Sequence, residues 1–313
     1  VISLRYHVIS IAAVFLALAI GVVLGSTTLS STLLSGLNGQ KEDLGRQVSQ
    51  LQADRSRLNA RLAGADSFAG GIGPRAVAGA LADRTVAVVR TSDVTQNDRK
   101  AVEDLIGQAG GKVTGDVQLN DSFGDPNKSD QLRDMVTRMI PAGAKLPTAS
   151  DPGTLAGGLF GSLLMLGKDN KPQATGNEII SAMTGLADAG FVRADTAPQP
   201  AQLVLVLTGG RRSGEGAGDK ATTLARFATQ LDRSGAGAVL AGTQGSADGS
   251  GAIGVARADG STGSVLSTVD NLDTAAGRVV TVLALAEQLE GKAGQYGTAG
   301  NAQAMTPESA TSR

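Results

Sequence analysis

Two aspartates stand where acid–base chemistry would sit in a parallel sheet. Asp93 and Asp270 each follow a short β-branched run, and open α/β sheets gather ligands beyond the carboxyl ends of their strands. Facing one another across such a crevice, they would act as paired carboxylates, one giving and one taking a proton. Gly209, Gly210 and Asn271 hold equivalent strand-end places and complete the candidate ligand crevice. The blander use of an Asp or Asn there is to cap the following helix. The glycine-rich run 208–218 carries Arg211 and Arg212, yet its spacing is neither G-x-x-x-x-G-K-[ST] nor G-x-G-x-x-G. A flexible exposed loop accounts for it, with the arginines placed to meet anionic envelope polymers or lipid head groups.

Other chemistries have less to build on. The chain has no cysteine, and its single histidine, His7, precedes an apolar segment. Neither a Ser–His nor a Cys–His pair can form in the body, and zinc sites of the usual kind fail for the same reason. Soft-metal binding would rest on methionine. Met135 and Met139 are four residues apart and share a helix face, which makes them the metal candidates. Leu132, Val136 and Ile140 share that face too, so a core stripe explains the pair without a metal. No catalytic and no cofactor-binding residue is assigned, and the expectation is a protein that is not an enzyme.

The elements that would position these residues read as an α/β domain. Continuously apolar runs at 85–90, 203–207, 238–240 and 265–269, with a weaker one at 113–119, suit a mostly parallel sheet covered on both faces. Between them, 97–109, 221–231 and 274–289 carry apolar residues at helical spacing. Strand–helix alternation predicts a doubly wound, mostly parallel sheet. Residues 130–190 read as a helical insertion, 64–82 as a Gly/Ala-rich linker and 292–313 as a disordered tail, which leaves 83–291 for the α/β domain.

Ahead of the body, 1–28 reads as a membrane anchor. Residues 8–24 are uncharged, with Ser10 the one hydroxyl, and span ~25 Å as a helix. A cleaved signal peptide competes, but the apolar run exceeds the usual signal core and no clear A-x-A site follows. Arg5 before the span places the N-terminus in the cytoplasm and the body outside it. Residues 29–63 then repeat leucine every seven positions, at Leu37, Leu44, Leu51 and Leu58. With these as d positions, the a positions are Leu34, Lys41, Val48, Arg55 and Leu62. Basic a residues disfavour higher oligomers, and copies leaving one membrane run the same way, so a parallel homodimer is expected. A single amphipathic helix lying on the body is the competing arrangement.

Composition limits the remaining classes. A formal charge of −1 gives no electrostatic reason to bind nucleic acid. With 43 glycines, no Trp and 3% aromatics, the core must be aliphatic and closely packed.

The opening Ile2-Ser3-Leu4-Arg5-Tyr6-His7-Val8-Ile9-Ser10, then Leu24-Gly25-Ser26 after the span, resembles the start of the actinobacterial copper-transport family MctB. Residues 267–278, on to Glu290-Gly291-Lys292, are similar to that family's C-terminal block. The resemblance implies a mycolate-type envelope, an outer-membrane label and a pore-forming role that keeps intracellular copper low. Copper would be a transported ion rather than a bound cofactor. Family members are also implicated in a membrane complex for septal cell-wall integrity, acting through a coiled coil with a partner membrane protein. No site residue carries over. The residues themselves fit a barrel poorly, because a spanning barrel needs many strands of about ten residues that alternate apolar and polar. One helix alone is long enough to span, so a pore would need several copies of it.

Overall fold

Alternation of apolar residues across neighbouring strands builds the body from both sides at once. In a computed structural model, residues 4–167 and 169–308 are described, with the side chains of 26–38 outside the description. The chain divides into two compact units, Val1–Ala65 and Asp66–Arg313.

The first unit is helix throughout its described residues. It is the greater part of α1 (Leu4–Ala76), in which no proline occurs before Pro74. Leu4–Gly25 is long and apolar enough to cross a membrane, and every one of its 22 residues lies outside the core. At 1.5 Å per residue that is about 33 Å, a full bilayer core rather than the lower limit expected from 8–24.

The second unit holds a seven-stranded sheet in the order β3-β2-β1-β4-β5-β6-β7. The strands are β1 (Thr85–Thr91), β2 (Lys112–Leu119), β3 (Val192–Arg193), β4 (Leu203–Thr208), β5 (Ala238–Gly242), β6 (Ser267–Val269) and β7 (Gln295–Tyr296). All neighbours pair in parallel except β3, which runs antiparallel to β2. Val88 registers with Leu205, and Leu205 with Val239. Successive side chains on a strand point to opposite faces. Val86, Val88, Leu203, Leu205 and Val239 therefore join one buried cluster, and Ala87, Val89, Val204, Val206 and Leu240 the other. Helices α2 (Gln96–Gln108) and α9 (Ala275–Gln288) supply Val102, Ile106, Val282 and Leu285 to the first. Helices α3 (Ser129–Arg138), α4 (Pro152–Leu164), α5 (Gly176–Asp188), α6 (Ala217–Ser234) and α7 (Ala252–Ala258) cover the second. A four-residue helix, α8 (Gly260–Gly263), leads into β6. Phe123, Phe160 and Phe227 meet edge to face, 5.1–6.0 Å apart, and concentrate the scarce aromatics at one point.

Three boundaries differ from the sequence reading. The expected linker at 64–82 is helix up to Ala76, followed by turns in which Val77 and Leu81 are fully buried. Its small residues serve close packing. Gly70 sits over Ala275, and a Cβ at Gly73 would come within 2.8 Å of Val279 Cγ2. Residues 130–190 are no separate subdomain, because Leu132, Phe160, Leu163, Ile179 and Leu186 share the core of the sheet. Part of the expected disordered tail is ordered: β7 extends the sheet beyond β6, and Tyr296 bridges to Ala304.

Candidate functional site

Strand order puts the topological switch between β1 and β4, since the chain leaves β1 toward β2 on one side and returns to β4 on the other. Asp93 follows β1 there and Gly209 follows β4. The Asp93 carboxylate lies across the gap, with Oδ1 accepting from the Gly209 amide at 3.2 Å and from the Thr91 hydroxyl. A Cβ at Gly209 would stand 2.6 Å from Asp93 Cγ, so glycine is what lets the carboxylate close the gap. Gly210 packs equally tightly, with its Cβ position 2.5 Å from the Gln244 carbonyl oxygen.

Arg212 completes the closure. Its guanidinium lies 3.3 Å from Asp93 Oδ2 and 3.7 Å from Asp121 Oδ1. Ser92 Oγ donates to Asp121 at 2.6 Å, and this bond, helped by Arg212 and Lys220, holds the Asp121 carboxyl below its usual range. Thr91, Asn120, Asp121, Arg212 and Lys220 line the cavity that remains, ≈ 20 Å³, room for about one water. The glycine-rich loop thus uses Arg212 internally, while Arg211 stays exposed. No phosphate cradle forms around the Gly209 amide, because Asp93 occupies it.

Asp270 does not face Asp93. It follows β6, three strand spacings or roughly 14 Å from β1. Its side chain and that of Arg257 are each 2% exposed and paired at 2.7 Å. Asp270 also accepts from the amides of Thr298 and Ala299, while Arg257 donates to Tyr296 O, Thr268 Oγ1 and Asn301 Oδ1. Burial lowers the Arg257 pKa, and the hydrogen bond to Asp270 opposes that fall. Asp270 therefore fastens the C-terminal segment to the sheet. Asn271 belongs to the turn before α9: its side-chain amide donates to Thr274 Oγ1, and Thr274 caps the helix by accepting from Gly277 N. The paired-carboxylate expectation fails on geometry, and capping and closure replace it.

Arg257 and Arg212 were not singled out as partners by sequence. Both sit among Gly, Ala and Ser, where no periodicity marks a buried cation. Asp66 was likewise unseen; its carboxylate accepts from Ala275 N at 2.5 Å, at the start of α9.

Met135, on α3, and Met139, just past its end, are half-buried and lie over Gly185 of α5. Among the described residues, no group of three or more His, Cys, Asp or Glu could hold a metal ion. On α1, Leu44, Val48, Leu51, Leu58 and Leu62 are all exposed, Leu51 and Leu62 at 68%. The Leu37 side chain, with that of Leu34, lies outside the described residues.

Comparisons with known proteins agree along the whole chain. The family model described as copper transport outer membrane protein, MctB, matches residues 1–307. A protein of Mycobacterium tuberculosis named copper transporter MctB is 40% identical over 311 residues, covering 97% of this chain and 99% of that one. Its namesake in Mycobacterium leprae is 41% identical over 314 residues, with the same coverage of each. A match of this extent means that the chain belongs to the MctB family.

Proposed function

We propose that the protein is a non-enzymatic, membrane-anchored envelope protein that serves copper handling, with α1 as a paired stalk. The observation that carries this reading is the solvent-facing seam Leu44, Val48, Leu51, Leu58 and Leu62. It follows the membrane-length segment directly on one helix. Isolated leucines on a surface mean little, but leucines at seven-residue spacing are the residues a partner helix covers. The partner is a second copy in parallel, because both copies leave the same membrane in the same direction. The copper role is supported by the names of the relatives, and the body lies on the extracytoplasmic side. Conduction would need several copies of α1, since each chain brings one spanning helix among its described residues. Deleting the gene raises cellular copper, and the purified protein conducts ions in planar bilayers; normal copper together with silent bilayers would sink this reading.

The seam and the closed strand-end crevice also favour a second reading, a dimeric scaffold in a membrane complex for septal cell-wall assembly. Replacing Leu44 and Leu51 by Asp then abolishes pairing and septal function while the body stays folded. Full complementation by that variant would reject the scaffold.

A further inference from the structure

A helix that packs on a folded body ordinarily turns its large apolar side chains toward it. The end of α1 does the reverse. Toward the body it presents Asp66, Gly70 and Gly73. The Asp66 carboxylate accepts from Ala275 N, Gly70 lies over Ala275, and the Cβ position of Gly73 is 2.8 Å from Val279 Cγ2. Phe68 and Ile72, the large apolar residues of 66–76, are left 68% and 44% exposed.

Single apolar residues on a surface are ordinary, so spacing decides what these two mean. Counting on in sevens from Leu58 and Leu62, the next core positions of the heptad are Ala65, Ala69, Ile72 and Ala76. All four are apolar and none is fully buried. Phe68 stands at the g position, flanking them. Gly70 and Gly73 each follow a core position by one place, about 100° round the helix, so packing on the body leaves the seam open. The earlier heptads put Lys41 and Arg55 at core positions, whereas these put no charge there.

We propose that the seam runs on past Leu62 to Ala76, and that Ala69 and Ile72 dock against the same residues of a second copy under the cover of Phe68. The inference rests on the parallel paired stalk and extends it onto the body. A second copy fits this face because it brings the same small, uncharged residues in the same register. Alanine at successive core positions lets two helices approach to about 8 Å, the short end of the packing range. The pair is therefore closest where α1 packs on α9.

The test uses full-length protein in bilayers, carrying Ile72→Cys, Leu51→Cys or Ser67→Cys singly and mildly oxidised. Ile72→Cys is captured as a covalent dimer as fully as Leu51→Cys. Ser67→Cys, exposed and at the f position, stays monomeric. Capture at Leu51→Cys with a monomeric Ile72→Cys overturns the extension and keeps the stalk; a different partner on this face gives that result. Capture at neither position removes both, and capture at Ile72→Cys alone upholds the body-end face while removing the pairing upstream. Equal capture at Ser67→Cys marks random collision and also overturns the extension.

Discussion

The Arg257–Asp270 pair is the most buried of the described ion pairs, each side chain 2% exposed. Both side chains are withdrawn from water, and each satisfies backbone or side-chain groups of residues 296–301 as well as the other. Removing one member leaves an uncompensated buried charge, so Arg257→Leu destabilises the body by about 3–5 kcal/mol in chemical denaturation. The same variant releases residues 295–304 to limited proteolysis before the rest unfolds. Asp232 works in the opposite sense. Burial pushes its carboxyl up to about 6, against the pull of the Ala238 amide and the Arg233 guanidinium. A folded pKa above the unfolded one means the folded state holds the proton more tightly, so this group favours folding as pH falls from about 6 toward 4 and opposes it above 6. Asp232→Asn keeps an acceptor for Ala238 and is therefore more stable than the parent at pH 8, by about 3 kcal/mol. The advantage fades through pH 6 and is gone near pH 4, and an advantage independent of pH would reject the assignment.

Close approach through glycine governs the helices. On α4, Gly153, Gly157 and Gly161 recur every fourth residue against α6. A Cβ at Gly157 would meet the Phe227 carbonyl oxygen at 2.7 Å and Gln230 Cβ at 2.6 Å. Helix propensity favours Gly→Ala by about 1 kcal/mol, while overpacking against rigid backbone costs about 1–3 kcal/mol. Overpacking wins at Gly157, so Gly157→Ala lowers the melting temperature. Gly107 on α2 has nothing within 4 Å of its Cβ position, and Gly107→Ala raises it. This is also where the sequence was hardest to read. Strands β1, β4 and β5 announced themselves as continuously apolar runs, and α9 by its helical periodicity. The Gly/Ala stretches at 64–76 and on α4 look the same whether they bend freely or pack tightly, because small residues permit both. The strand-end residues were located correctly, but pairing across the sheet depends on strand order, which periodicity does not encode. Asp93 and Asp270 consequently looked like partners although β4 and β5 separate them.

At the scale of the whole molecule, the MctB-family chain joins a membrane-length helix to an α/β body whose strand-end gap between β1 and β4 is closed by its own Asp93 and Arg212. Among the described residues, Leu44, Val48, Leu51, Leu58 and Leu62 of α1 are apolar and exposed. The absence of native cysteine lets a single introduced thiol test whether α1 pairs with a second copy as proposed. Equal core residues of a parallel pair approach to the Cα spacing of roughly 6 Å that a disulfide takes. Leu51→Cys, in the full-length protein reconstituted into bilayers and mildly oxidised, should be captured as a covalent dimer, and Ser49→Cys, turned away from the seam, should remain monomeric. A monomeric Leu51→Cys protein, or equal cross-linking at Ser49→Cys, would contradict a parallel paired stalk.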